Sequence, residues 1–299
     1  MSNITVKIIQ DSVAGGVRIT TYELEYPRFI HAEFMTHRLF SRNAASSRAI
    51  PFVAMCDNIV NNTAVPIYWG KNQPGMSAKE EINQLAKTGA VGVWQAARDS
   101  AIAHATVLND MGVHKQIVNR LTEPFSMIKT VLTLTERDNW YWLRDHKDAQ
   151  PEIAELAKLM KQADDNSVPV PLNYGDWHVP YVHTERDAHG QIWYYHDLNV
   201  IDKATARMIS ASCCAQVSYR KNDDSIEKAV KVYERLIQSE PVHASPVEHQ
   251  ATPMLYAYSY MGQQNLEKGV THIKRDGTLW SANFKGWIQF RQLIPNQSK

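Results

Sequence analysis

Residues 36–48, THRLFSRNAASSR, constrain this chain more than any other stretch. They set three arginines, three serines, His37 and Asn43 close together, with only Leu39, Phe40, Ala44 and Ala45 interleaved. So few apolar positions argue against an ordinary core helix. Arginine donates two parallel hydrogen bonds from a planar fork that matches an anion, and the serine hydroxyls can supply further donors. Two readings stay open at this level. One is a site for a phosphorylated, nucleotide-like ligand. The other is a solvated basic helix face, since charge blocks are usually surface.

The chain of 299 residues permits one large domain or two ordinary ones, and a hydrophobic share of 44% supports a full core. The net charge is +1, from 32 Lys+Arg against 31 Asp+Glu. A protein that coats a nucleic acid polymer is more basic than this, so any anion site is a local cluster. Cys56, Cys213 and Cys214 are odd in number and lack a framework or CxxC spacing, which argues against a disulfide scaffold or a cysteine zinc site. The N-terminal residues lack the pattern of a signal peptide. No apolar run approaches the roughly 20 residues that span a bilayer. The expected setting is soluble, reducing and cytoplasmic, without membrane association.

Along the chain, residues 4–9 and 17–24 read as strands joined by a Gly15-Gly16 turn, and Pro27 breaks the second. A helix-like stretch from Phe29 leads into the arginine-rich segment, and Pro51 ends what precedes it. Residues 61–77 are turn-rich. Ser77 and Glu80 form a capping box that predicts a helix from there to Met111, closed by Gly112. A second helix is predicted over 113–120, ended by Pro124, and a buried strand over 128–135. Residues 138–143 are aromatic-rich and helical in character. Residues 148–162 predict an amphipathic helix with Ile153, Leu156, Ala157 and Met160 on one face. Residues 163–200 read as a connecting excursion with one hairpin around His189-Gly190. Helices follow over 204–215 and 226–237, the latter with Ala229, Val230, Tyr233 and Leu236 aligned. No internal repeat is visible.

Four further segments carry candidate chemistry. Arg120 sits at a helix end, where a cation is favourable in any case. Residues 138–144, DNWYWLR, hold packed aromatics that more often mean core than cofactor. Residues 215–219, AQVSY, are unremarkable alone. Residues 243–249, HASPVEH, invite a metal reading, but the pattern is not HExxH and Pro246 prevents a continuous helix between the histidines, so no metal is expected.

Taken together these segments resemble the flavin-dependent thymidylate synthases. That family carries an RHRxxSxNExSxRY signature. The chain has Thr36, His37, Arg38, Ser41, Asn43, Ala44, Ser46 and Arg48 in the matching positions. Arg120-Leu121 matches the family's arginine step after a central helix. Leu143-Arg144 followed by Ala149, Gln150, Glu152 and Ile153 matches its LR and AQxEI elements. Residues 215–219 and 243–249 match ARVSY and HxSPFEH. In common members those two segments precede the arginine signature; here they follow it, so the chain resembles a permuted member, of a kind associated with phages.

The resemblance implies an α+β fold, with a mixed or antiparallel sheet flanked by long helices in permuted order. It implies a single domain over residues 1–299 with an insertion or connector at about 163–203. It implies C5 methylation of dUMP to dTMP, with methylenetetrahydrofolate as carbon donor, FAD as hydride carrier and NADPH as reductant of the flavin. No enzyme cysteine attacks the pyrimidine in this chemistry. By the same resemblance Ser46, Ser47 and Arg48 bind the nucleotide phosphate with Arg120 of a neighbouring subunit, and Arg144 faces the pyrimidine as the catalytic charge. His37, Arg38 and Asn43 contact FAD, Asn139 lies near the flavin ring, and His243, Ser245 and Glu248 line the same cleft. The partners implied are dUMP or a related deoxypyrimidine monophosphate and further copies of the chain, in a homotetramer with shared sites. For a phage protein the compartment is the host cytoplasm.

Three positions depart from the family. Thr36 replaces an arginine, Ala44 a glutamate and Gln216 an arginine. The first two remove one charge of each sign, which fits deletion of an internal ion pair and a reshaped pyrimidine pocket. Methylation or hydroxymethylation of another deoxypyrimidine nucleotide, such as dCMP for DNA modification, is therefore an alternative. A non-catalytic nucleotide or RNA binder is the competing reading from outside enzymes.

Overall fold

The computed structural model describes residues 3–218, 223–256 and 266–298. Strands β1 (Thr5–Ala14) and β2 (Val17–Pro27) form a hairpin whose turn is Gly15-Gly16, both at positive φ (55° and 77°). Glycine meets that requirement at no steric cost. Beyond Pro27 come a 3-10 turn and the single-turn helix α1 (His31–Phe34). The arginine-rich segment then enters strand β3 (Ser41–Ala44), so neither a core helix nor a basic helix face forms there. Pro51 immediately precedes helix α2 (Phe52–Asn61), which sequence reading did not predict. Met55 and Ile59 of α2 pack on Phe125.

The capping box expected at Ser77 does not operate. Glu80 pairs with Lys71 at 2.6 Å, and Gly70 bridges to Glu81, so residues 70–81 fold back on themselves. Helix α3 (Gln84–Asp110) starts later, with Asn83 Oδ1 accepting from the Ala86 amide at 2.9 Å. It closes at Gly112, at φ 82°. The short helix α4 (Lys115–Val118) and two 3-10 turns lead to strand β4 (Met127–Leu134), then α5 (Asp138–Arg144) and α6 (Pro151–Asp165). The four predicted core positions of α6 are fully buried.

Residues 163–201 do more than connect. Strand β5 (Val170–Pro171) extends the main sheet, and β6 (His183–Arg186), β7 (Ile192–His196) and β8 (Asn199–Ile201) make a three-stranded sheet of their own. Val179, Ile192 and Tyr194 are buried core residues. Helices α7 (Lys203–Ala215) and α8 (Ile226–Gln238) follow. The C-terminal part adds β9 (Ala251–Pro253), β10 (His272–Ile273), β11 (Leu279–Ser281), β12 (Phe284–Lys285) and β13 (Trp287–Gln289).

The main sheet has the order β3-β4-β2-β1-β5, antiparallel except for the β1–β5 pair. The class is mixed α+β, as expected. Alternation along β2 sends Tyr22, Leu24 and Tyr26 into a core with Leu132, Trp140 and the apolar face of α6. It sends Ile19 to the other side, into a second core with Val179, Ile209, Phe284 and Trp287. Among the described residues no helix is long and apolar enough to cross a membrane.

Candidate functional site

Strand β3 is an edge strand, and its register on β4 sorts the arginine-rich segment between two faces. Ser41 and Asn43 pair with Thr133 and Val131 and share the face of Thr21 and Glu23; Arg42 and Ala44 share the face of Tyr22 and Leu24. Arg42 turns back on its own chain, donating to the carbonyls of His37 (2.8 Å) and Phe34 (3.2 Å). Thr36 caps the preceding turn through the Glu33 carbonyl (2.7 Å).

His37 meets Arg144 across 107 positions of sequence, with Arg144 Nε–H donating to His37 Nε2 at 2.9 Å. That bond needs a lone pair on Nε2, so the neutral ring carries its proton on Nδ1. Burial, then Arg144 and Arg42, push the His37 pKa down to about 4. The ring also packs edge-on against the fully buried Trp140, 4.6 Å between centroids. With Nε committed, the Arg144 Nη groups make no hydrogen bond or ion pair to another described residue.

On the opposite face Asn43 Nδ2 donates to the Cys214 carbonyl, and Asn43 Oδ1 accepts from Ser245 at 3.4 Å. Glu248 is held by Arg291, a C-terminal residue that sequence reading missed. Burial raises the Glu248 carboxyl, and Arg291 opposes it. Gln289 and Asn283 from the same C-terminal part bond to Ser41 (3.0 Å each). The cation and amides around β3 and 245–248 thus come from the end of the chain, and no signature marked them. Gln216 is buried and clasps Asp223 through both backbone atoms (2.7 and 3.1 Å), which makes it a loop clamp. Tyr219, the last residue of the AQVSY segment, lies outside the described residues.

The third group is built around the carboxylate of Glu123. The Ser46 amide donates to Ser218 Oγ at 3.0 Å. The buried Ser47 hydroxyl donates to Glu123 at 2.6 Å, and Arg120 Nη1 contacts both oxygens of the same carboxylate at 3.0 and 3.1 Å. Arg28 closes the group 3.9 Å from Glu123. Asn119, fully buried, donates to the Ser47 and Ile50 carbonyls and fixes the loop. Neither Glu123 nor Arg28 belongs to the sequence-level candidate set.

Arg38, Arg48, Asn139 and His243 stand exposed with no side-chain partner among the described residues. Within one chain the candidate residues therefore form three groups strung along β3 and its flanks, on both faces of the sheet. Each of the four distant segments nevertheless touches residues 36–48: Asn119 and Glu123 through Ser47, Arg144 through His37, Cys214 and Ser218 through Asn43 and Ser46, and Ser245 through Asn43. The free donors Arg38, Asn139 and His243 fit an anionic, hydrogen-bonding cofactor such as a flavin dinucleotide in their chemistry. Among the described residues no three His, Cys, Asp or Glu side chains are grouped as metal ligands.

A cavity of about 1130 Å³ opens between α2, the 45–51 loop and Val217-Ser218, with Glu25, Arg28 and Lys129 among its lining. It borders Ser46 through Ala45 and Ser218, and none of the candidate residues lines it.

No protein-family model matches this sequence, and no curated protein does. Among solved structures, the chain is similar to a UMP/dUMP methylase PolB from Streptomyces cacaoi bound with 5-Br UMP. The TM-score is 0.47 at 18% sequence identity, over 55% of this chain and 89% of that one. The same methylase bound with 5-Br dUMP gives a TM-score of 0.44 at 18% identity, over 54% and 90%.

Proposed function

We propose that the chain is a flavin-dependent thymidylate synthase-type methyltransferase, converting dUMP to dTMP. The observation that carries this reading is the convergence of four sequence-distant segments on residues 36–48. Segments matched to the family signature only by their letters are, in space, neighbours of one strand.

In this reading Arg144 supplies a fixed positive charge to the pyrimidine. Its Nε is pinned by neutral His37, which leaves the Nη groups to face negative charge developing on the ring. Ser46, Arg48 and Arg120 take the nucleotide phosphate, with Ser47 beside them. Arg38, Asn43, Asn139 and His243 orient FAD, with Ser245 and Glu248 alongside. Bound FAD would carry the hydride, with NADPH as reductant and methylenetetrahydrofolate as the source of carbon. The chain's own contribution is to orient and polarise the reactants.

Because the three groups lie on two faces of one sheet, we place the complete site between copies of the chain, in a homotetramer. Helix α3 supports this. Of its 27 residues only Ala105 is buried. Leu85, Val93 and Val107, with Met111 at the C-cap, are 58–85% exposed, and at about 100° per residue they fall within roughly a quarter turn of one another. Around Gly89 and Gly92 on the same helix an added Cβ would meet only open space.

Two measurements test the reading. Purified protein should show a flavin absorbance spectrum, or acquire one with added FAD; a colourless protein that cannot be reconstituted overturns it. Tritium release from C5-labelled dUMP should exceed that from labelled dCMP; the reverse order would move the substrate to cytosine.

A further inference from the structure

The hydroxyl of Ser47 has one proton, and that proton is directed at Glu123, 2.6 Å away. Arg120 is spent on the same carboxylate, and Arg28 stands 3.9 Å from it. Arg28 is held rigidly, with Nε on Ser126 Oγ (3.0 Å) and Nη2 on the Ala45 carbonyl (3.2 Å). Two arginines and a buried hydroxyl therefore already surround an anion, supplied by the chain itself. A phosphate cannot accept from Ser47 while Glu123 does, and two anions placed side by side repel.

We propose that Glu123 is a resident carboxylate in an anion subsite made by Ser47, Arg120 and Arg28, and that a phosphate group displaces it on binding. The assignment of that phosphate to a nucleotide rests on the function proposed above; the anion chemistry of the subsite does not. Glu123 opens a 3-10 turn, and its side chain is one-fifth exposed, so it can swing out toward solvent without unpacking a core. The exchange favours a phosphate monoester, which brings a charge of about −1.5 to −2 and three acceptor oxygens against the single charge and two oxygens of a carboxylate. An uncharged nucleoside has nothing to offer in return. Glu123 thereby sets specificity for phosphorylated over unphosphorylated ligand, at some expense of affinity.

Isothermal titration of the full-length protein with inorganic phosphate tests this. Glu123→Gln keeps the shape and loses the charge, and should bind phosphate roughly tenfold more tightly than wild type. Glu123→Asp, one methylene short of Ser47 and Arg120, should move the same way by less. Unchanged or weaker phosphate binding in variants with an unaltered circular dichroism spectrum, or no phosphate binding to any of the three proteins, overturns the proposal. Titration with dUMP in parallel reads the nucleotide assignment separately. Phosphate affinity that rises in Glu123→Gln with no dUMP binding in any variant supports the subsite and removes the nucleotide.

Discussion

Arg144 bears on the protonation of His37, and His37 on the position of Arg144. Burial, with the donating guanidinium added to it, holds the ring neutral, and the ring in turn fixes where the guanidinium points. Arg144→Ala should lower turnover about 10²–10³-fold, the size of loss seen when a preorganised charge is removed, while flavin absorbance is retained. The same variant should let the His37 pKa rise from about 4, read by NMR titration of the ring. Burial is the larger cause of its depression, so the rise should stop short of the ordinary histidine value. Turnover that survives the substitution would remove Arg144 from the chemistry. Ser47 makes the contrasting case. The letter was legible as a hydroxyl donor, but its partner Glu123 was not, because an acidic residue beside Arg120 reads from sequence as an ordinary local ion pair.

The placement of α5, and with it Arg144, depends on a buried charged network between elements. Asp164 at the end of α6 accepts from Tyr141 of α5 (2.7 Å) and from Tyr22 of β2, and pairs with Arg137 at 3.0 Å. Asp11 and Arg18 of the β1–β2 hairpin continue it at 2.6 Å. Asp164→Ala would take the carboxylate from Arg137, which keeps only neutral acceptors, and the acceptor from two tyrosine hydroxyls, and should cost about 3–5 kcal/mol in urea denaturation. A change below 1 kcal/mol would show that water replaces the carboxylate. At this scale the sequence was legible where period and side-chain type agree, as in β1, β2, β4 and α6. It misled where a local signal competed with a partner. The Ser77 capping box lost Glu80 to Lys71, and β3 formed because β4 offered an unpaired edge, against the polar, arginine-rich letters of residues 41–44.

For the molecule as a whole, the buried histidines predict its response to acid. Thr21 Oγ1 and Thr133 Oγ1 link His178 to His249 through contacts of 2.7–2.9 Å, with Ser12 beyond at 3.0 Å. Both rings are fully buried, and burial pushes each down to about 3. Both histidines take up protons near pH 6.5 when unfolded and resist them when folded. Their contribution is therefore complete above that pH and is lost as the pH falls from 6.5 toward 3. These two rings alone should contribute close to two protons, about 2.7 kcal/mol per pH unit, to the slope in urea titrations near pH 5, with His37 adding to it. A flat stability profile between pH 6.5 and 4 would contradict this. The exposed apolar stripe of α3 makes a separate prediction at the same scale. Val93→Asp combined with Val107→Asp should shift the assembly to smaller species by size-exclusion chromatography with light scattering, and should reduce turnover if sites are shared. An unchanged mass would move the interface elsewhere.

The sequence by itself marked which segments are candidates for donor chemistry, because residue type and spacing can be read directly from the letters. Alternation and the 3.6-residue repeat are local properties, so they marked β1, β2, β4, the β6–β7 hairpin and the longer helices, while β3, β5 and the short C-terminal strands left no such trace and the α+β class was implied by the family resemblance. Tertiary structure alone decided which face of β3 each side chain takes, that Glu123 occupies the donors around Ser47, and that Arg291, Gln289 and Asn283 come from the end of the chain to hold Glu248 and Ser41. Those outcomes depend on strand pairing and long-range packing. Contacts between residues tens to hundreds of positions apart leave no periodic trace in the residues that make them.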